Sequence, residues 1–328
     1  MTLRDPELYA PLAALRGTSP PAPQWFDWSI SLEPERRMVE VNGTAIEALA
    51  WGAAGNPGLL LIHGNGANAE WWRFIAPFFA VEYRVVALSL SGMGNSSWRA
   101  QYSAACFRSE ALQVAERFGL FAAEARPLLV GHSLGGAVSI LLAARCGERF
   151  KGAVILDSHI AGPNHQWGLG RVPGSPRLSE DVMQMLARFR FAPPQPCRAL
   201  YIADFIARSS IRQVTLDGRS GWTWKHDPAL IGNFDFEDVW LALPAARCPL
   251  AIIRGELSTL TSPSQMQAMR NNCPPGTMAL AIPDAHHHVM VDQPLALVSA
   301  LRAIFAAWRV VAECHRISGP AERSLLPE

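Results

Sequence analysis

Residues 127–139 read PLLVGHSLGGAVS, and this stretch decides how the rest of the chain is interpreted. A short apolar run leads into Ser133, which lies between Gly131 and Gly135, and a run of small residues follows. The pattern predicts a buried strand, a sharp turn and a helix, with the glycines allowing a strained turn and a close approach of strand to helix. A serine there stands at a helix N-terminus, where backbone N–H groups favour developing negative charge. Ser133 is therefore the candidate nucleophile, and the alternative is a serine that only caps an ordinary strand-to-helix turn.

Bulk composition narrows the class of protein. The chain has 328 residues, of which 49% are hydrophobic and 17% charged, so a large core is expected and disorder is not. The net charge is +1, no basic stripe indicates a nucleic-acid partner, and no apolar run is long enough to cross a membrane. The six cysteines are scattered without a CxxC pair, and the N-terminus lacks signal-peptide features. We expect a cytoplasmic protein with free thiols that acts on a small molecule, and the sequence does not indicate its oligomeric state.

Strand and helix patterns alternate along most of the chain. Residues 36–41 and 45–52 alternate like an antiparallel pair. Short apolar runs, typical of strands buried on both faces of a parallel sheet, occupy residues 59–64, 83–90, 127–132 and 152–158. Helical patterns at residues 69–79, 106–119 and 133–145 lie between them, and the alternation resumes from residue 249. The fold class expected is α/β, with a mostly parallel sheet and helices on both faces.

The alternation is interrupted in the middle of the chain. We expect an N-terminal extension (1–24), a first part of the core (25–158), an insertion (159–247), a second part of the core (248–315) and a C-terminal tail (316–328). The insertion contains the stretch WTWKHDP (222–228), whose Trp222 and Trp224 are candidates to line an apolar substrate chamber. The alternative is that they pack the small core of the insertion itself.

The stretch HGNG (63–66) follows another buried strand. A turn there would bring the N–H of Asn65 near that of Leu134, and two such donors would form an oxyanion hole worth about 3 kcal/mol per donor. A dinucleotide or phosphate loop is the rival interpretation, but neither GxGxxG nor GxxxxGK[ST] is present. We therefore expect no cofactor.

Three adjacent histidines, His286, His287 and His288, follow the last strand pattern in the stretch AHHHVMVDQP (285–294). Clustered histidines can bind a metal, but neighbours on one loop seldom converge on one ion, and no cysteine or carboxylate cluster supports such a site. We therefore expect no metal and take one of the three as the catalytic base. His63 and His132 lie inside the two backbone motifs, where a packing role is expected.

Taken together, these motifs resemble the α/β-hydrolase superfamily, in its capped branch with a serine nucleophile. HGNG, LSLSGMGNS (88–96), GHSLGG, ILDS, a strand ending in RG and PDAHHHVMVDQP follow one another in the family's order, over roughly residues 36–311. The resemblance implies a mostly parallel sheet of about eight strands, with helices on both faces and a helical cap inserted after the sixth strand. It also implies that the base lies five residues before Asp292, which is His287.

The acid of the triad is missing from the place where the family usually carries it. In RGELSTLTS the two expected positions hold Ser258 and Thr259. Asp157, at the end of ILDS, is the favoured substitute, because some relatives place their acid on that strand and a triad is defined by geometry. Glu256 is the alternative acid, and a dyad without an acid is the third interpretation.

The function implied is hydrolysis of an uncharged, partly hydrophobic ester or lactone through an acyl-enzyme on Ser133. The serine argues against haloalkane dehalogenase and soluble epoxide hydrolase chemistry, because both use aspartate at that position. Two alternatives stay open at this point. One is a ligand-binding receptor that turns its ligand over slowly or not at all, and the other is a C–C hydrolase or a cofactor-free lyase.

Overall fold

A computed structural model of the chain describes residues 6–160, 162, 176–230, 234–235 and 237–317. Its strands, in chain order, are β1 Glu35–Val41, β2 Thr44–Trp51, β3 Gly58–Ile62, β4 Arg84–Leu88, β5 Tyr102–Ser103, β6 Leu128–His132, β7 Gly152–Leu156, β8 Ile211–Leu216, β9 Arg219–Trp224, β10 Phe234–Asp235, β11 Leu250–Gly255 and β12 Met278–Ile282. Its α-helices are α1 Pro6–Tyr9, α2 Gln24–Ser31, α3 Ala104–Arg117, α4 Leu134–Cys146, α5 Val182–Ala187, α6 Leu200–Ser209, α7 Val239–Ala242, α8 Pro263–Asn271, α9 Val289–Asp292 and α10 Pro294–Ile317.

Eight of these strands form one sheet in the order β1-β2-β4-β3-β6-β7-β11-β12. The pairs β1–β2 and β2–β4 are antiparallel, and every other pair in this sheet is parallel. Strands β3, β4, β6 and β7 are buried along their whole length, as their continuous apolar sequences predict. The predicted mostly parallel α/β sheet is confirmed.

Alternate residues of the central strands feed two hydrophobic clusters, one on each face of the sheet. On β3, Leu59 and Leu61 join one cluster, while Leu60 and Ile62 join the other. This is the period-two alternation of a strand whose two faces are both covered. Trp72 and Phe305 belong to the first cluster, whereas helix α3 contributes its buried face to the second.

One predicted helix is different in the structure. Residues 69–79 form two short 3₁₀ turns, Ala69–Trp72 and Ala76–Phe79, instead of one α-helix. Pro77 lies at the start of the second turn, and a proline inside a helix removes a backbone donor and clashes with the preceding turn. The two turns still cover β4 and bury both Trp71 and Trp72.

The segment 159–247 leaves the main sheet after β7, its sixth strand in chain order, and returns at β11. Its described part contains the predicted helices and also an antiparallel hairpin, β8–β9, whose turn at Asp217 and Gly218 has positive φ at both residues. Asp-Gly favours this two-residue turn, just as Asn42 and Gly43 do between β1 and β2. The segment attaches to the core where β10 pairs with β5.

Three predicted regions fall partly beyond the described residues. Within the predicted N-terminal extension these are residues 1–5. Within the inserted segment they are residue 161, residues 163–175, residues 231–233 and residue 236, and within the predicted C-terminal tail they are residues 318–328. Among the helices that the structure does describe, none is long and apolar enough to cross a membrane.

Candidate active site

Ser133 occupies the turn between β6 and α4 with φ +53° and ψ −118°. A positive φ is uncommon for a residue with a Cβ, and holding it costs about 1–3 kcal/mol. The surrounding chain fixes the turn, because the Ser133 N–H donates to the Leu156 carbonyl at 2.9 Å. The side chain is only partly buried. The sharp, strained turn predicted from the sequence is therefore present, and the strain lies on the serine itself.

The neighbouring glycines act by leaving space. A Cβ on Gly131 would lie 2.1 Å from the Gly135 carbonyl oxygen, and one on Gly135 would lie 2.4 Å from the Ile62 carbonyl oxygen. Neither glycine has a positive φ. Their contribution to the turn is thus close packing of β6 and β3 against α4, whereas conformational freedom is not used.

His287 and Asp157 lie together in the interior. Nδ1 of His287 is 2.9 Å from Oδ1 of Asp157, and the two residues are 2% and 0% exposed. Asp157 follows β7 directly and has a φ of +41°, and His287 precedes α9. The carboxylate fixes the ring as the Nδ1–H tautomer, which leaves a lone pair on Nε2. The structure brings these two sequence-predicted residues into contact.

The Asp157 carboxylate receives further donors from the loop after β11. Oδ2 accepts the Gly255 N–H at 2.6 Å, and Oδ1 accepts the hydroxyls of Ser258 at 2.7 Å and Thr261 at 3.2 Å. Such donors stabilise the charged form of a buried carboxylate. Ser258, one of the two positions where the family resemblance places the acid, thus donates to the carboxylate of Asp157 just after β7.

Glu256 is placed differently. It is exposed, and its carboxylate accepts the Asp284 N–H at 3.2 Å. Among the described residues, the acid hydrogen-bonded to the His287 ring is Asp157. This contact favours Asp157 over Glu256, and the assignment of the acid stays a prediction.

The HGNG loop passes over the turn that carries Ser133. A Cβ on Gly64 would lie 3.0 Å from Ser133 Cβ, so the loop approaches the serine closely. Asn65 is exposed in this loop, and Leu134 is the first residue of α4, where helical N–H groups have no partner within the helix. Both residues suggested for an oxyanion hole therefore lie next to Ser133, and that role stays a prediction.

The ring of His63 makes two hydrogen bonds that hold the HGNG loop in place. It accepts the Leu90 N–H on Nε2 at 3.0 Å and donates from Nδ1 to the Gly64 carbonyl at 2.7 Å. Burial lowers the pKa of His63 to about 4, which keeps the ring neutral. The packing role expected from the sequence agrees with these contacts.

A second histidine from the backbone motifs joins the site. His132 donates from Nε2 to the His287 carbonyl at 3.0 Å, and its ring centroid is 4.7 Å from that of His287 and 5.6 Å from that of His288. One ring nitrogen from each of the three histidines lies within 4.8 Å of the others, and all three residues are buried. Burial lowers the pKa of His132 and of His288 well below the usual value. The sequence grouped His286, His287 and His288, whereas the structure groups His132, His287 and His288.

His286 points elsewhere, into a contact between the histidine loop and the inserted segment. Its N–H and Nδ1 both lie near Oδ2 of Asp292, at 2.7 and 3.0 Å. Gln195 donates to both Asp292 oxygens at 3.1 Å and accepts the His288 N–H at 3.0 Å. Burial raises the pKa of Asp292. Sequence reasoning missed Gln195. It lies in the stretch PPQP (193–196), and nothing in that stretch indicates a contact with the histidine loop, nearly a hundred residues further along the chain.

Aromatic side chains surround the histidines. His288 packs against Trp71 and Phe191, with ring centroids 5.3 and 5.0 Å away. The ring of Trp224 lies 6.0 Å from that of Phe189, and Phe189 in turn contacts Phe191. Trp222 is half-buried on β9, where its backbone pairs with Ser179. Trp71 and Phe191 thus contact His288 directly, and substrate contact by Trp222 and Trp224 stays a prediction.

Comparisons with known proteins show which sequences this chain resembles. The sequence is 28% identical over 220 residues to the dihydrolipoyllysine-residue acetyltransferase component of an acetoin cleaving system from Pseudomonas putida, covering 63% of this chain and 57% of that one. It is 36% identical over 104 residues to a pimeloyl-(acyl-carrier protein) methyl ester esterase from Sodalis glossinidius, covering 32% and 37%. The chain thus spans less than two thirds of the length of the curated relatives it matches.

The fold has close structural counterparts. An esterase of Mycobacterium tuberculosis superposes with a TM-score of 0.62 at 23% identity, covering 93% of this chain and 99% of the other. At that identity the likeness speaks for the fold alone. Residues 59–301, well over half of the chain, match the model of the alpha/beta hydrolase family. With the eight-stranded sheet and the strained serine turn already in place, this match means that the chain belongs to the alpha/beta hydrolase family.

Proposed function

We propose that the protein is a serine hydrolase that cleaves an uncharged, partly hydrophobic ester or lactone through an acyl-enzyme on Ser133. The observation that carries the proposal is the buried His287–Asp157 pair, whose ring nitrogen and carboxylate oxygen lie 2.9 Å apart, together with a strained and partly accessible serine that directly follows His132, whose ring packs against that of His287. A serine is a weak nucleophile until a positioned base removes its proton. The lone pair left on His287 Nε2 is the base that this chemistry needs.

In the first half of the reaction, the Ser133 hydroxyl attacks the carbonyl carbon while His287 Nε2 takes its proton. The Asp157 carboxylate holds the ring in the required tautomer and stabilises the imidazolium that forms, without taking the proton itself. The alcohol, or the ring oxygen of a lactone, leaves with a proton returned from His287. In the second half, water attacks the acyl-enzyme by the same route and releases the acid.

Negative charge develops on the carbonyl oxygen at each tetrahedral step. The N–H groups of Leu134 and Asn65 are proposed to bind it, because the first lies at the start of α4 and the second lies in the loop packed on Ser133. Losing one such donor typically lowers kcat by about 10²–10³-fold.

The substrate class is proposed from the walls of the site. Trp71, Phe191 and Phe189 place buried, apolar, aromatic side chains beside the histidines. We propose that the inserted segment acts as a cap that closes this surface over the substrate, with Trp224 as its outer aromatic contact. Such walls favour an acyl or alcohol group without charge.

The test is covalent labelling together with turnover. The protein is treated with a fluorophosphonate and its intact mass is measured, and p-nitrophenyl butyrate and a medium-chain lactone are offered as substrates. We expect one adduct on Ser133, many turnovers per protein, and a loss of about 10⁶-fold in kcat for Ser133→Ala. Full activity in Ser133→Ala would overturn the proposal. Stoichiometric ligand binding without turnover would favour the receptor interpretation, and turnover confined to C–C substrates would change the bond that is cleaved.

A further inference from the structure

Three imidazole rings from two separate parts of the chain converge beside Ser133. His132 ends β6, and His287 and His288 precede α9. Their ring centroids are 4.7 to 5.6 Å apart, and one nitrogen of each lies within 4.8 Å of the others. All three side chains are at least nine-tenths buried. The proposed serine mechanism uses only one of them.

In two of the rings, one nitrogen donates a hydrogen bond to a protein oxygen, as the nitrogen that does not bind the metal usually does in metal-binding histidines. His287 donates from Nδ1 to the Asp157 carboxylate, and His132 donates from Nε2 to a backbone carbonyl. These are the carboxylate and carbonyl partners that fix the tautomer and orientation of a ligating imidazole. Each ring therefore turns a lone pair away from its anchor, on Nε2 of His287 and Nδ1 of His132.

The third ring has no anchor within the described residues. Neither Nδ1 nor Nε2 of His288 has a hydrogen-bond partner, and His132 Nδ1 has none either. A buried polar group left unpaired costs about 1–3 kcal/mol, and such a group calls for a specific explanation. Trp71 and Phe191 pack on the His288 ring, but neither makes a hydrogen bond with its nitrogens.

We propose that His132, His287 and His288 form a binding site for a divalent transition-metal ion, with Zn²⁺ as its representative. Three neutral imidazoles with a fourth position open are a ligand set that Zn²⁺ favours. One ring nitrogen of each histidine lies within 4.8 Å of the others, so inward movements on the order of 1 Å would bring three nitrogens to zinc–nitrogen bonds of about 2.1 Å.

Metal binding at this site would inhibit the enzyme, and that consequence rests on the proposed function. The Nε2 lone pair of His287 cannot both bind the metal and accept the Ser133 proton. The ion would therefore act as a reversible inhibitor competing for the base. Affinity should follow the usual order for nitrogen sites, with Cu²⁺ tighter than Zn²⁺ and Mn²⁺ weakest.

The experiment uses the untagged full chain. Bound zinc is counted after ultrafiltration, Co²⁺ is added as a spectroscopic probe for its visible absorption, and the rate of fluorophosphonate labelling is followed with and without Zn²⁺. We expect one equivalent of zinc, a Co²⁺ spectrum of low coordination number, and slowed labelling that a chelator restores.

Variants separate this site from other histidines. His288→Leu and His132→Leu should each weaken zinc binding by at least tenfold, and Asp157→Asn, which removes an anchor, by about 10–100-fold. The matched control is His286→Asn, which alters the adjacent histidine outside the cluster and should leave zinc affinity unchanged. Thermal unfolding of each variant shows whether it is folded, and Asp157→Asn serves if a leucine variant is not.

The outcomes distinguish this inference from the proposed function. Zinc binding that survives His288→Leu and is lost in His286→Asn would overturn the site, as would the absence of stoichiometric binding. A protein that binds zinc through the three histidines but carries no reactive serine would retain the site and refute the hydrolase proposal. A reactive serine in a protein that does not bind zinc would support the hydrolase proposal and refute the metal site.

Discussion

The hydroxyl of Ser258 lies 2.7 Å from Oδ1 of Asp157, the same oxygen that lies 2.9 Å from Nδ1 of His287. Ser258 stands after β11, where members of the family usually carry the triad's acid, and Asp157 stands after the neighbouring strand β7. The carboxylate that contacts the His287 ring therefore follows the neighbouring strand, and the hydroxyl of Ser258 donates to it from the loop after β11.

The first prediction concerns the acid. Asp157→Asn should lower kcat by about 10⁴-fold, because the amide no longer selects the Nδ1–H tautomer or stabilises the imidazolium. Steady-state hydrolysis of a p-nitrophenyl ester and the rate of fluorophosphonate labelling measure the effect.

Glu256→Gln is the matched control for that change. It removes a carboxylate from the same region, but one that is exposed and bonded to the Asp284 N–H. Its kcat should stay within about twofold, since surface substitutions away from special features have small effects. A large loss in Glu256→Gln with a small one in Asp157→Asn would assign the acid to Glu256.

The second prediction concerns a carboxylate placed at position 258 in the loop after β11. In the double variant Asp157→Asn/Ser258→Asp, the new carboxylate starts from a position whose side-chain oxygen lies within hydrogen-bond distance of residue 157. We expect it to recover at least tenfold of the kcat lost in Asp157→Asn. Ser258→Asp alone should instead lower the free energy of unfolding, because it places two carboxylates in one buried site. Steady-state kinetics measures the recovery of kcat, and urea denaturation measures the loss of stability. Equal activity of Asp157→Asn and the double variant would show that a carboxylate at position 258 cannot replace the one at position 157.

The sequence was sufficient for the fold and for the serine turn because both depend on local patterns. Apolar runs of strand length and the GHSLGG stretch specify short elements, and the structure places them as expected. The preference for Asp157 over Glu256 depends instead on which carboxylate the His287 ring contacts in three dimensions, and that contact is to Asp157. The β8–β9 hairpin has a local signal of its own, because Asp217-Gly218 is a dipeptide that favours a two-residue hairpin turn.

The histidines show the same limit more sharply. Adjacency along the chain grouped His286 with His287 and His288, but His286 turns toward Asp292 and its place is taken by His132. His132 precedes Ser133 on another element, so its approach to the loop before α9 depends on the packing of β6 against that loop. Spacing along the sequence cannot express that contact, and neither can it place Gln195 between His288 and Asp292.

The third prediction concerns the strained serine turn. Ser133→Gly and Ser133→Ala should both be inactive, but the glycine variant should unfold at the higher temperature. Glycine accepts φ +53° without the strain of about 1–3 kcal/mol that a Cβ imposes, whereas its more flexible unfolded chain costs only about 0.4–1 kcal/mol. A net gain of about 1 kcal/mol corresponds to about 1.5 °C for 328 residues, because unfolding entropy is about 2.1 cal/mol/K per residue. Equal melting temperatures by calorimetry would show that the turn is not strained.

The fourth prediction concerns Gln195, a positioning residue that joins the inserted segment to the histidine loop. Gln195→Leu removes the acceptor of the His288 N–H and the donor to Asp292, so the loop before α9 loses its fixed position. We expect kcat to fall by about 10–100-fold with little change in KM, because small displacements of a catalytic base have large effects on rate.

Gln195→Glu tests which half of that contact matters. It keeps an acceptor for the His288 N–H but faces Asp292 with a second carboxylate, so it should be at least as inactive as the leucine variant and less stable to urea. The control is Gln213→Leu, the same chemical change at an exposed position of the same segment, on β8. It should leave kcat unchanged. If Gln195→Leu instead raised KM and spared kcat, Gln195 would bind substrate, and His287 would owe its position to Asp157 alone.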